Sequence, residues 1–129
     1  MEELAKWLVE ELQQKLKADF KELKFKIDET KYEQTKDKNF YLENHNFPFI
    51  IITSFGHVSI YFYPKEDYIA AALLGKSISA QIEIFEDGQE YKVLFRQFNN
   101  EIATIKNMHM NKEEVLSFIF DNIKKRLSI

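Results

Sequence analysis

The sequence predicts an α+β domain built on a single antiparallel β-sheet of about five strands. N-terminal, short central and C-terminal helices flank this sheet, in the order α-β-β-β-α-β-β-α. Two observations support this class. Apolar residues recur at every fourth position near both ends of the chain, which is typical of helices, and they alternate with polar residues in the middle of the chain, which is typical of strands. The 129 residues fit one domain spanning 1–129 that can bury a core of its own.

The first helix is predicted over Glu2 to Phe20, where the apolar residues fall on one helical stripe. Glu, Gln and Lys fill the remaining positions, as is typical of an amphipathic helix. The stripe consists of Leu4, Leu8, Leu12, Leu16 and Phe20, with Trp7 beside it. We expect this stripe to pack into the core of the domain.

The period then changes to two, which indicates strands. Leu23, Phe25 and Ile27 alternate with charged residues and predict an outer strand that extends toward Tyr32. The short segment Phe40-Tyr41-Leu42 lies between turn-type residues and fits either a strand or a loop.

A hairpin is predicted next, with Phe55-Gly56 as its loop and Phe49–Thr53 and Val58–Tyr63 as its strands. In that register Phe49, Ile51 and Thr53 share a face with Phe62, Ile60 and Val58. Because the opposite face also carries apolar residues, we expect these strands to be central in the sheet. A short helix is then predicted from Pro64 to Leu74, ending at Gly75.

The second hairpin is predicted over Ser79–Phe98, with Asp87-Gly88 as a two-residue turn. That turn would place Ile84 opposite Tyr91, Ile82 opposite Val93 and Ala80 opposite Phe95 on a dry face, and Glu83 opposite Lys92 on the wet face.

A last strand, Ile102–Ile105, can follow the turn at Asn99-Asn100, and a three-residue loop would align Ile105 with Phe95. The C-terminal helix begins with a capping box, Asn111 and Glu114. Its apolar face consists of Val115, Leu116, Ile119, Phe120, Ile123 and Leu127.

Composition excludes several classes of function. The formal charge of −3 gives no attraction toward phosphate backbones, so nucleic acid is an unexpected ligand, and the glycine-rich loops that cradle phosphates are absent. The chain has no cysteine, which fits a reducing compartment. The segment Met1 to Trp7 lacks the pattern of a secretory signal, and the apolar runs are too short to span a bilayer, so we expect a cytoplasmic protein without a membrane partner.

The sequence carries no motif for catalysis, a cofactor or a metal. His45, His57 and His109 are predicted in three separate loop or turn segments, without metal-ligand spacing. Ser54 lies near His57, but the glycine of a nucleophile elbow is missing before it. We therefore assign no catalytic, cofactor-binding or metal-binding residue and expect no enzymatic activity.

An aromatic contact surface is the remaining candidate site. Aromatic side chains are enriched at protein interfaces and in cores, and few Lys or Arg residues lie between these rings. The residues assigned to this surface are Phe49, Tyr61 and Tyr63, with Phe55 and His57 from the hairpin loop.

These features predict a non-enzymatic cytoplasmic interaction module, of adaptor, chaperone-like or inhibitor and immunity type, that binds another protein and forms a homodimer. In element order the chain resembles the small secretion chaperones, whose architecture implies that two subunits pair. Two alternatives remain open. One is a single-stranded nucleic-acid binder using Tyr61 and Tyr63, and the other is a small enzyme using His57 or His45 with an acidic neighbour.

Overall fold

The computed structural model describes residues 2–19, 24–28, 39–43, 49–54, 57–62, 79–99 and 102–127. The described residues form two helices and seven strands. In chain order these are α1 (Glu2–Asp19), β1 (Lys24–Asp28), β2 (Asn39–Glu43), β3 (Phe49–Ser54), β4 (His57–Phe62), β5 (Ala80–Asp87), β6 (Glu90–Asn99), β7 (Ile102–Met110) and α2 (Lys112–Leu127).

The α+β class and the antiparallel sheet are confirmed, but the predicted count of about five strands is wrong. The sheet has seven strands in the order β1-β2-β3-β4-β5-β6-β7, so each strand pairs with its neighbour in sequence. Phe40–Leu42, left open between strand and loop, belongs to β2, and Ile102–Ile105 is the first half of the longer strand β7. The predicted central helix, Pro64–Leu74, lies outside the described residues.

The register of the first predicted hairpin is confirmed. Phe49 is opposite Phe62 and Ile51 is opposite Ile60 in the pairing of β3 with β4. The two strands are also central, because β3 pairs with β2 on one side and β4 pairs with β5 on the other.

The register of the second hairpin differs from the prediction by two residues. The turn consists of Gly88 and Gln89 rather than Asp87 and Gly88, so that Asp87 pairs with Glu90. Gly88 has a φ of 65°, and the first central position of a primed hairpin turn requires such a positive angle. The corrected register places Ile84 opposite Val93, Ile82 opposite Phe95, Ala80 opposite Gln97 and Glu83 opposite Leu94. A shift of two residues leaves every side chain on its predicted face.

The register of β7 differs from the prediction by one residue, and this has a larger consequence. Ile105 lies opposite Arg96 rather than Phe95. Because a one-residue shift moves a side chain to the other face of a sheet, Ile105 leaves the predicted dry face. Its side chain is 59% exposed. Among the side chains that the structure describes, it is the one large hydrophobic residue classed as exposed.

The helices cover one face of the sheet, which we call the covered face. α1 contacts β3, α2 contacts β6 and β7, and the two helices contact each other. Their apolar stripes and the sheet form one buried cluster. It consists of Leu4, Ala5, Leu8, Leu12 and Leu16 from α1, Val58, Ile60, Phe62, Ala80, Ile82, Ile84 and Val93 from the sheet, and Val115, Leu116, Ile119 and Ile123 from α2.

The predicted capping box at the start of α2 is confirmed. The Glu114 backbone N–H donates to Asn111 Oδ1 at 2.9 Å, and the Asn111 backbone N–H donates to Glu114 Oε1 at 3.2 Å. At the far end of α2 the Arg126 guanidinium lies 4.6 Å from the centre of the buried Phe62 ring, and burial lowers the pKa of Arg126. The capping box thus stabilises the start of α2, and the contact between Arg126 and Phe62 joins its far end to the covered face.

Candidate protein-interaction surface

The candidate site lies on the sheet surface opposite the covered face. Successive side chains of a strand point to opposite faces, so strands β4 to β6, which bury one set of residues, present the other set here, and β7 extends the same surface. We call this surface the outer face. Its described side chains are His57, Ser59, Tyr61, Gln81, Glu83, Phe85, Asp87, Glu90, Lys92, Leu94, Arg96, Phe98, Ile105, Asn107 and His109.

A charged cluster occupies the middle of the outer face. Glu83 on β5 lies between His57 on β4 and Arg96 on β6. One oxygen of its carboxylate, Oε1, forms an ion pair with Arg96 Nη1, and the other, Oε2, lies 3.6 Å from His57 Nε2. The Glu83 side chain is only 15% exposed, so these contacts compensate a carboxylate that has lost most of its water.

An aromatic ring holds the histidine of this cluster in place. The His57 and Phe85 rings are stacked, with centroids 4.9 Å apart and planes 21° from parallel. Because the Glu83 carboxylate also lies near Nε2, the imidazole is constrained at its face and at one nitrogen.

The chemistry of this cluster is that of an ion-pair network. A histidine beside a carboxylate is one element of an acid–base site, and His57 has here the acidic neighbour that the enzymatic alternative required. The same carboxylate, however, is already paired with the positively charged guanidinium of Arg96. Within the described ranges, no group of three or more His, Asp or Glu side chains is arranged to hold a metal ion.

Apolar and aromatic side chains surround the charged cluster. Tyr61, Phe85, Leu94 and Phe98 are partly exposed, and Ile105 is the most exposed of the large apolar residues on this face. Ser59, opposite Glu83 in the register, is buried at 3% exposure. The outer face therefore combines a desolvated centre with accessible apolar surface around it.

A second contact between a histidine and a carboxylate lies at the rim, near the β5–β6 turn. His109 Nδ1 is 3.3 Å from Asp87 Oδ2, and both side chains are more than half exposed. A pair this exposed contributes little to stability, because water and salt screen it.

The structure brings together some of the predicted contact residues and not others. His57 and Tyr61 lie on the outer face of β4, whereas Phe49 is on β3, paired with the residue Phe62 whose own side chain is buried on the covered face. Phe55 and Tyr63 lie outside the described residues.

The predicted placement of the histidines in loops or turns is wrong for two of the three. His57 is the first residue of β4 and His109 is the penultimate residue of β7, because both strands extend further than the sequence pattern indicated. His45 lies outside the described residues.

Sequence reasoning missed Glu83, Arg96 and Ile105 as members of this site. It paired Glu83 with Lys92, because the turn was placed one position early. With Gly88 as the first turn residue, Glu83 is opposite Leu94 and diagonal to Arg96. The signal was the glycine itself, since Gly-X is also a primed turn.

Comparison with known proteins adds no relative: no protein-family model, no curated protein and no solved structure matches this chain. In the described part of the chain, neither helix has the length and apolar character needed to cross a bilayer. Function is therefore inferred from the geometry of the outer face.

Proposed function

We propose that this chain is a non-enzymatic protein-interaction module of the cytoplasm that binds another protein through the outer face of β4 to β7. The observation that carries the proposal is the accessible apolar surface around a desolvated ion cluster, on the side of the sheet opposite both described helices. An adaptor, a chaperone-like protein or an inhibitor would each use such a surface.

The composition of the outer face supports a protein ligand. Interfaces are enriched in aromatic residues and arginine, and binding energy is concentrated in a few residues that lose contact with water. Tyr61, Phe85 and Phe98 supply the aromatic surface, and Arg96 is fixed by its ion pair with Glu83. A partner that covers these side chains gains burial of apolar area without having to order the arginine.

The two alternatives have less support. A nucleic-acid ligand needs several cations beside the stacking rings. Of the two described lysine and arginine side chains on the outer face, Arg96 is engaged by Glu83 and Lys92 is exposed, and the chain is acidic overall. An enzyme would use His57 as an acid or base, yet its carboxylate neighbour is shared with Arg96, which favours a structural role.

Photocrosslinking at a defined position tests the proposal. The photoreactive amino acid benzoylphenylalanine replaces Leu94 on the outer face or, as a matched control, the exposed Lys17 on α1. We expect irradiation in native cells to give an adduct with a different protein from position 94 and not from position 17. Adducts from neither position, from both equally, or from position 94 only with the chain's own copies would overturn the proposal.

A binding measurement with the crosslinked protein then tests the surface directly. The purified partner should bind the Leu94→Gln variant at least about tenfold more weakly than the wild-type chain, which is the effect of losing one well-packed contact of about 1.4 kcal/mol. The Lys17→Gln control should bind like the wild type. Equal binding by the Leu94→Gln variant would place the interface elsewhere.

A further inference from the structure

Strand β7 is the last strand of the sheet, so one side of its backbone pairs with β6 and the other has no strand beside it among the described residues. It is also long, running from Ile102 to Met110. A long, regular edge is a template for adding a further strand, and natural proteins either protect such an edge or use it.

The hydrogen bond between Phe98 and Ser79 determines which backbone groups of β7 face this edge. The Phe98 N–H donates to the Ser79 carbonyl, so the N–H and C=O of Phe98 point toward β5 and away from β7. In an antiparallel pair, hydrogen-bonded and non-hydrogen-bonded positions alternate. Phe98 pairs with Ala103, so Ala103 must direct its own N–H and C=O away from β6.

The alternation extends along the strand. Ile105, Asn107 and His109 are two, four and six residues beyond Ala103, so their N–H and C=O groups also face the edge. The side chains from Thr104 to Asn107 are all exposed, on both faces of the sheet. The edge is therefore accessible to another strand along the middle of β7.

We propose that β7 pairs with β7 of a second copy of this chain, antiparallel, about a two-fold axis that passes beside Ile105. The two sheets then form one continuous sheet, with both outer faces on the same side. This inference goes beyond the outer-face partner and does not depend on it, because it concerns the backbone edge and a different binding partner.

In this register Ile105 of one copy exchanges two hydrogen bonds with Ile105 of the other, and Ala103 of each copy exchanges two with Asn107 of the other. The pairing also places the two Ile105 side chains, each 59% exposed in the single chain, directly opposite each other.

Charge selects this register over its neighbour. An axis beside Lys106 would place two lysines directly opposite each other, and like charges in that position are destabilising. In the register about Ile105, Lys106 is opposite Thr104 of the second copy, a neutral residue.

Cysteine crosslinking tests the register without background, because the chain has no cysteine. In the proposed pairing the two Ile105 Cα atoms are about 5.5 Å apart, within the range that a disulfide spans. We expect the Ile105→Cys variant to form a disulfide-linked dimer under mild oxidation, at least about tenfold faster than Lys106→Cys. Faster crosslinking of Lys106→Cys, or equal rates for the two, would overturn the proposal.

A proline variant tests the edge itself. Asn107→Pro removes an N–H that faces the edge and leaves the β6–β7 hydrogen bonds intact, whereas Asn107→Ala keeps that N–H. In sedimentation at tens of micromolar, we expect the wild type and Asn107→Ala to be dimers and a folded Asn107→Pro to be a monomer. A monomeric wild type, or a dimeric Asn107→Pro variant, would contradict the proposal, and neither outcome affects the crosslinking of a different protein at position 94.

Discussion

The two faces of strands β4 to β7 differ in what surrounds them. On the covered face, apolar side chains such as Ile60, Ile82 and Val93 are fully buried beneath the helices. On the outer face, the same strands present a charged cluster at Glu83 and an isoleucine, Ile105, that is 59% exposed. The same backbone thus carries two surfaces with different physical requirements.

This difference teaches which residues can change without loss of the fold. The buried side chains of β4 to β6 pack against one another on the covered face, so removing one leaves a cavity that the surroundings refill only in part. On the outer face, water fills the space that an exposed side chain leaves when it is removed, so no cavity forms. We therefore expect stability to depend on the covered face and binding to depend on the outer face and the β7 edge.

The largest effect is expected from a truncation on the covered face. Ile82→Ala should lower the free energy of unfolding by about 2–5 kcal/mol, since Ile82 is fully buried in the cluster that the sheet forms with the helices. Ile82→Val, which removes one methyl group, should lower it by about 0.5–1.5 kcal/mol. Urea unfolding followed by circular dichroism measures both, and equal stability of Ile82→Ala and the wild type would contradict the assignment of this face.

The next largest effect on stability is expected from the β5–β6 turn, which sets the register of these two strands. Gly88 has a φ of 65°, and a Cβ added there meets no atom within 4 Å, so the effect of Gly88→Ala is conformational strain alone. We expect a loss of about 1 kcal/mol, with a smaller loss for Gly88→Asn, because asparagine tolerates the left-handed region. Thermal unfolding of both variants checks this, and a stabilised Gly88→Ala variant would contradict the turn geometry.

The cap of the covering helix should have a similar or slightly smaller effect. Asn111→Ala removes the side-chain oxygen that accepts the Glu114 N–H and should cost about 1 kcal/mol. Asn107→Ala, at an exposed position of β7, is the control and should change the stability of the monomer by less than about 0.5 kcal/mol. Denaturant titrations compare the two, and equal losses would show that the cap does not hold α2.

Much of this fold could be predicted from local patterns. A period of four residues identified both described helices, a period of two identified strands, and the capping box identified the start of α2. The β3–β4 register followed from the predicted two-residue loop, because so short a loop determines which residues of the two strands are paired. Each of these signals lies within a few residues of the structure that it predicts.

The candidate site was harder to predict, because it depends on register across strands. Placing the β5–β6 turn one position early paired Glu83 with Lys92, and the ion pair with Arg96 was missed. Assigning a three-residue loop before β7 put Ile105 on the dry face. In a sheet, a register error of one residue moves a side chain from the core to the surface, and no local pattern corrects that error.

The smallest stability effect is expected from the ion cluster on the outer face. A double-mutant cycle with Glu83→Gln and Arg96→Gln should give a coupling energy of about 0.5–1 kcal/mol, because both side chains keep some contact with water. The coupling should fall when salt is raised from about 0.1 M to 1 M. A cycle with Glu83→Gln and Lys92→Gln is the control, and a larger coupling there would restore the pairing expected from the sequence.

The division between the two faces is tested most directly by Ile105→Ser measured beside Ile82→Val. For each variant, unfolding of the dilute monomer gives its stability and sedimentation gives its dimer fraction. We predict that Ile105→Ser keeps the monomer's stability within about 0.5 kcal/mol and loses at least about tenfold in dimer affinity, whereas Ile82→Val loses stability and still dimerises. If Ile105→Ser destabilises the monomer as much as Ile82→Val does, or dimerises as the wild type does, the account is contradicted.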